Sequence, residues 1–264
     1  LAHPDICAIA VESPVRDHAS DGLAVLHAGK HLHLEKAPAD TMAAFRQVVE
    51  LAQGRNLLLQ VGYMWRHNPG IVRALDAARQ GWLGAVYAIR GNIGNQLDAH
   101  RRPEWAEFTG GVMFELGCHL IDPMIRLLGR PKTVTPFLQE AGAFDDTLND
   151  NTVAVLEWEK ATGIVQGSNL EPHSSRYRVL EIRGSNGRAV VNPIEQPILT
   201  IDLEKAAGPY APGSQQLMLP NYRRYVDDFI ELAAAIRGEK KLAVTPAEDL
   251  LVEEAVLRCS GMFS

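Results

Sequence analysis

Ile6-Cys7-Ala8-Ile9-Ala10-Val11 is apolar at every position and long enough for a strand buried on both faces. Downstream, Ala19, Leu23 and Leu26 recur at helical spacing, with Asp17 as a candidate cap and Gly29 as a stop. His31-Leu32-His33-Leu34 reads as a second short strand. Met42, Phe45, Val49 and Ala52 then form a helical stripe running from a cap at Asp40 or Thr41 to Gly54, and Leu57-Leu58-Leu59-Gln60-Val61 is a third buried strand. Strands alternating with helices across short connections imply right-handed crossovers and a parallel sheet. Ligands of such a sheet gather where its strands end, here at Ser13-Pro14, Glu35-Lys36 and Gly62-Tyr63.

The rhythm changes after Pro69, which suits the first position of a short helix ending at Gly81. Strands are expected at 85–94, 132–141, 151–158, 162–170, 177–183, 188–191 and 198–203. Most have no helical crossover between them, so the second sheet should be mainly antiparallel. Helices are expected at 112–128, 221–237 and 246–260. In the helix at 221–237, Tyr222, Tyr225, Val226, Phe229, Ile230 and Ala233 form an apolar stripe suited to core packing. The fold class is therefore α/β plus α+β: a partial Rossmann-type parallel sheet followed by a mainly antiparallel open-sheet domain. Residues 1–66 make the first unit, 67–245 the second, and the C-terminal helix region 246–264 packs back on the first.

Hydrophobic residues make up 46% of the 264 and charged residues 22%, the balance of a soluble globular chain. The net charge of −6, with no basic cluster longer than Arg101-Arg102 or Lys240-Lys241, argues against a nucleic-acid surface. No apolar run approaches the roughly 18 residues of a spanning helix, and the first residues do not read as a signal peptide, so a cytoplasmic protein with no membrane role is expected. Cys7, Cys118 and Cys259 form neither a disulfide framework nor a CxxC motif. The chain enters its first strand so soon after Leu1 that it reads as a fragment of a longer protein.

The helix expected at 112–128 carries the densest chemistry. On a regular α-helix Glu115, His119 and Asp122 fall within an arc of roughly 60°, opposite Met113, Leu116, Leu120, Met124 and Leu127. A carboxylate one turn from an imidazole raises its pKa and orients the ring, as a general base requires. The same spacing fits a surface helix with a polar side. Gly110-Gly111 lets backbone approach a ligand or another chain segment closely. Lys36 stands at a strand end where ligands gather, though alone it also fits a solvated lysine paired with Glu35. His31 and His33 point to one side of their strand, but no further ligands at metal-binding spacing accompany them, and no metal is assigned.

Together these segments resemble the glucose–fructose oxidoreductase / inositol dehydrogenase / rhizopine-catabolism family of NAD(P)-dependent oxidoreductases. Three blocks carry the resemblance: Ser13-Pro14 with His18 and Ala28-Gly29-Lys30-His31; Glu35-Lys36-Ala37; and Gly110-Gly111 through Glu115, His119 and Asp122. Gly62-Tyr63-Met64-Trp65-Arg66-His67-Asn68-Pro69 and Ile182-Arg183-Gly184-Ser185-Asn186-Gly187 extend it toward the C-terminus.

The resemblance implies that Lys36 hydrogen-bonds the reacting hydroxyl and that His119 removes its proton, with Glu115 as the third catalytic residue. It further implies substrate contacts from Asp122, Tyr63 and Arg66, and NAD or NADP contacts from Ser13, Pro14, His18, Glu35, Lys36 and Tyr63. The expected substrate is a polyol: a sugar, inositol or sugar acid. A homodimer or homotetramer through the open sheet is expected as well.

Glu115 stands where most members have Asp, Ala37 where Pro is usual, and Ala106 where an arginine commonly follows the tryptophan. The family's Gly-rich dinucleotide turn would lie ahead of Leu1, within about 60 residues of preceding βα units, so weak NAD(P) binding is expected of this stretch alone. If that turn were absent from the protein, a non-catalytic binding or regulatory protein of the same fold would be the alternative. A metal-dependent barrel hydrolase or isomerase is disfavoured, because the chain turns antiparallel near residue 84.

Overall fold

In the computed structural model, which describes residues 1–263, β1 (Ala8–Val11), β2 (His31–Glu35) and β3 (Leu59–Gly62) form a parallel sheet in the order β1-β2-β3. Ala8 lies opposite His31 and Leu32 opposite Leu59. The crossovers are α1 (Val15–His27) and α2 (Met42–Gly54), which pack on each other. The stripe of α2 buries Phe45, Val48, Val49 and Ala52, and Thr41 Oγ1 accepts from the Ala44 N–H to cap it. α1 starts directly after Pro14 with no side-chain cap. Asp17 lies inside its first turn, where its charge favours the helix dipole.

After α3 (Pro69–Arg79), whose entry is capped by Asn68, come β4 (Val86–Gly94), the short α4 (Arg102–Ala106), a π-helical turn at Met113–Gly117, and α5 (Cys118–Leu128). There follow β5 (Thr133–Gln139), β6 (Asn151–Glu157), β7 (Thr162–Ser168), β8 (Val179–Gly184), β9 (Gly187–Val191), β10 (Leu199–Leu203) and β11 (Gly213–Leu217). With β4 they build a sheet in the order β11-β10-β9-β8-β4-β7-β6-β5. Every pairing in it is antiparallel except β4 with β7. α3 packs against β8, β9 and β10, and α5 against β4 and β7, so helices cover one face. The other face carries exposed Tyr87, Phe137 and Ile164. β11, a polar edge strand, and α4, opened by Pro103, are absent from the sequence reading.

α6 (Val226–Ile236) and α7 (Pro246–Cys259) close the chain. α7 begins with a capping box between Thr245 and Glu248 and packs on α2, α5 and β5, bridging the two sheets. Of the expected 246–264 segment, residue 264 lies outside the described residues. The stripe expected to pack in the core corrects to the opposite face: Tyr225, Val226, Phe229 and Ile230 are exposed, while Asp228 and Glu231 are buried. The reason is polar: Gln60 Nε2 donates to the Asp228 carbonyl and to Glu231 Oε2, drawing that side of α6 inward. Among the described residues no helix is long and apolar enough to cross a membrane.

Candidate active site

The carboxyl ends of the parallel strands supply the first half of the site. Ser13 follows β1, Lys36 follows β2 and Tyr63 follows β3. The ring nitrogens of His18, on α1, lie 2.7 Å from the carbonyl oxygens of both Ala37 and Ser13. His18 thus ties two loops together from a buried position, and the Lys36–Ala37 peptide it holds is cis. Lys36 Nζ donates to the Glu115 carbonyl at 2.8 Å and stands 5.3 Å from the centroid of the Trp105 ring. The first sheet therefore delivers its lysine to the helix of the second unit.

The second half begins at Gly110-Gly111. A side chain at Gly111, where φ is +47°, would run into the Asn149 carbonyl, and one at Gly110 into Ser260. The paired glycines thus serve contact between chain segments. Met113–Gly117 take a π turn, so the arc calculated for a regular α-helix does not hold through Glu115. Glu115 Oε2 accepts from Asn169 Nδ2 at 2.9 Å and makes no hydrogen bond to His119.

His119 is 3% exposed, its ring 5.2 Å from Trp65 and edge-on to Tyr63 at 6.4 Å, with Nδ1 buried and unpartnered. The expectation that Glu115 raises its pKa is overturned. Burial, reinforced by the charges of Lys36, Arg178 and Arg224, holds the imidazole well below its ordinary value, so it is neutral. Burial raises the Glu115 carboxyl, opposed by Lys36 and by the Asn169 hydrogen bond.

Asp122 and Arg66 turn toward each other. Arg66 Nη2 is 2.7 Å from Asp122 Oδ1 and 2.7 Å from Asp249 Oδ1 on α7, and Arg126 lies 3.6 Å from Asp122 Oδ2. This buried cluster fastens α5 and α7 to the turn after β3, one helical turn from His119. Tyr63 stacks under the Arg66 guanidinium at 4.7 Å, and its hydroxyl donates to Glu253 Oε2 at 3.4 Å. The Glu253 carboxyl, wholly buried, is pushed up to about 8.

A cavity of about 570 Å³ opens past the end of β1, lined by Ser13, Pro14, Arg16, Arg101, Phe108 and the Trp105 ring that Lys36 approaches, among others. Ser13 Oγ and Trp105 Nε1 are buried without partners. Glu35 lies against Gly62, and burial pushes its carboxyl up to about 7, opposed first by the Lys36 charge. His31 and His33 do not point a shared metal face outward: the Leu58 N–H donates to His31 Nδ1, and His33 Nδ1 meets Gln60 Oε1 at 2.9 Å. Among the described residues no group of three or more His, Cys, Asp or Glu is arranged to hold a metal ion.

Trp65, Trp105, Asn169 and Glu253 belong to the site's surroundings, though the sequence reading assigns none of them a role there. Of these only the tryptophans carried a signal, each standing in or beside a quoted block.

Residues 71–190 match the GFO/IDH/MocA C-terminal domain. An uncharacterized oxidoreductase of Schizosaccharomyces pombe is 30% identical over 142 residues, covering 53% of this chain and 38% of the relative. The scyllo-inositol 2-dehydrogenase (NADP(+)) of Bacillus subtilis is 25% identical over 180 residues, covering 67% and 50%. This chain thus spans half or less of the length of these two relatives. A levoglucosan dehydrogenase, solved with NADH and levoglucosan, superposes with a TM-score of 0.81 at 18% identity, covering 99% of this chain and 80% of that one. That likeness establishes the shared two-sheet fold.

Proposed function

The chain belongs to the Gfo/Idh/MocA family of oxidoreductases, and from that premise we propose that it takes part in hydride transfer between NAD or NADP and a hydroxyl-bearing carbon of a sugar, inositol or sugar acid. One observation carries the reading: a lysine from the parallel-sheet unit and a neutral, buried histidine from α5 share one seam, beside a cavity at the carboxyl ends of parallel strands.

The residues present fit a nicotinamide nucleoside: the cavity offers the buried Ser13 hydroxyl and the flat Trp105 ring. Ser13, Pro14, Lys36 and Tyr63 would hold that end of the cofactor, with Glu35 at the neighbouring strand end and His18 bracing the loops behind it. When bound, the nicotinamide supplies the hydride acceptor. His119, neutral and with a free Nδ1, accepts the proton of the substrate hydroxyl. The Lys36 ammonium stabilises the alkoxide character that develops on that oxygen. Glu115 balances the Lys36 charge, while Asp122 and Arg66 hold α5 in place.

We further propose residues 1–66 as the cofactor unit and 67–245 as the substrate and assembly unit, with a second copy of the chain covering the open face of the large sheet. The test is reduction of NAD and NADP, followed by nicotinamide absorbance, against a panel of inositols, sugars and sugar acids, together with the reverse reaction on the matching ketones, using the full-length protein. Turnover of at least one member is expected, and His119→Ala should lower kcat by about 10²-fold or more with cofactor affinity little changed. No turnover in either direction with any class, or normal turnover by His119→Ala, overturns the reading.

A further inference from the structure

Glu115 is ionisable, buried, and its own main-chain carbonyl receives Lys36, so the direction of its side chain bears on the site. Asn169, just past the end of β7 and 1% exposed, is placed to do so. Its Nδ2 donates to Glu115 Oε2 at 2.9 Å and to Asn95 Oδ1 at 2.6 Å. Both protons of the amide are spent on acceptors, which dictates the amide orientation, since the flipped form would set oxygen against oxygen.

The backbone around it is anchored as firmly. The Asn169 N–H donates to the Asp150 carbonyl at 2.8 Å, and the Asn169 carbonyl accepts from the Leu97 N–H at 3.0 Å. The Asp150 carboxylate is held in turn by Arg102 Nη2 at 2.9 Å and by the Ala141 N–H at 2.9 Å. None of these residues lines the cavity past the end of β1, and of the groups proposed for catalysis the Asn169 amide bonds Glu115.

We propose that Asn169 is a positioning residue of the candidate active site, its amide holding the Glu115 carboxyl turned away from His119 so that it compensates Lys36 instead of bonding the imidazole. The description of the site as catalytic rests on the oxidoreductase reading; the Asn169–Glu115 linkage does not. Without the donor, Glu115 is a buried carboxylate short of one charge-assisted hydrogen bond, and it takes up a proton more readily.

The experiment follows the side-chain carboxyl carbon of Glu115 by NMR against pH in the whole chain carrying carbon-13-labelled glutamate, the signal being assigned through Glu115→Gln. Asn169→Leu removes the donor and should move the titration midpoint up by about one pH unit, the scale of a hydrogen bond to a charged group. Asn169→Asp keeps the shape and sets a second carboxyl beside the first, so its upward shift should be larger.

Should the leucine variant not fold, the isosteric aspartate variant decides. Should neither fold, Asn95→Ala frees the Asn169 amide from its second acceptor and should move the midpoint by a measurable fraction of that shift. A midpoint unchanged in the folded variant, even one with a lowered Tm, would make Asn169 merely structural and overturn the proposal. No cofactor and no turnover enter the measurement, so its failure leaves the oxidoreductase reading untouched, and a failed turnover assay leaves this one standing.

Discussion

The two sheets bury their strands in opposite ways. In the parallel sheet β3 is buried at all four positions and β2 at its three central ones, whereas β7 in the large sheet alternates exposed and buried along its length. Helices on both faces force the first pattern and a single covered face forces the second. The difference assigns them different work: the small sheet presents loop residues at its strand ends, while the large one provides a platform on which α5 lies. The candidate site lies where they meet, with Lys36 from one and Glu115, His119 and Asn169 from the other.

The contrast breaks most readily at the seam. Arg66→Ala would leave Asp249 buried without its cation and Asp122 with Arg126 alone, and a loss of about 3–5 kcal/mol is expected in denaturant unfolding. A loss near zero would mean that the two units are not held by this cluster. Within the parallel sheet, Leu34→Ala opens a cavity at a wholly buried position and should cost about 2–5 kcal/mol.

Glu253, on the helix that spans the seam, sharpens the same point through pH. Its carboxyl is pushed from the ordinary 4.5 up to about 8, so between these values the unfolded chain has lost a proton that the folded chain keeps. Stability present at lower pH is therefore lost as pH rises toward 8, at up to about 1.4 kcal/mol per pH unit from this group. Glu253→Gln should flatten that decline, so that the variant and wild type diverge from about pH 5 to about pH 8 in urea unfolding. Parallel curves would place Glu253 in contact with solvent.

Much of this arrangement is legible in the sequence because burial leaves a periodic trace. The apolar run at 57–61 marks a strand covered on both sides, and alternation marks those of the open sheet. The run at 6–11 marks a strand too, but at the sheet edge only Val11 of it is buried and Ile6, Cys7 and Ala10 are exposed. What escapes is whatever depends on polar partners distant along the chain. Arg102 reads as part of an exposed basic pair, yet it is among the most buried side chains, because Asp146 and Asp150 fold over it. The α6 stripe reads as core until Gln60 is seen to draw in the opposite face. Spacing brings Glu115 and His119 together, but the π turn and a lone asparagine 54 positions away redirect the carboxylate. Lys36 was legible because strand ends are where a parallel sheet offers side chains, a rule of topology independent of its neighbours.

The smallest expected effect tests the bare face itself. Ile164 lies near the middle of β7, pairs across to Val155 and Arg90, and is 43% exposed in the single chain. Truncation there removes little buried area, so Ile164→Ala in a monomer should change stability by less than about 0.5 kcal/mol, an order of magnitude below the upper end for Leu34→Ala. If a second copy covers this face, as proposed, the same substitution uncovers an interface residue, and its cost becomes dependent on protein concentration because folding and association are linked. Unfolding both proteins at two concentrations a hundredfold apart separates the cases, with sedimentation to give the oligomeric state. Wild-type stability that falls on dilution, with a cost for Ile164→Ala that differs between the two concentrations, would favour the covered face. A small, concentration-independent change in a chain that sediments as a monomer would leave the large sheet one-sided and overturn the proposed assembly.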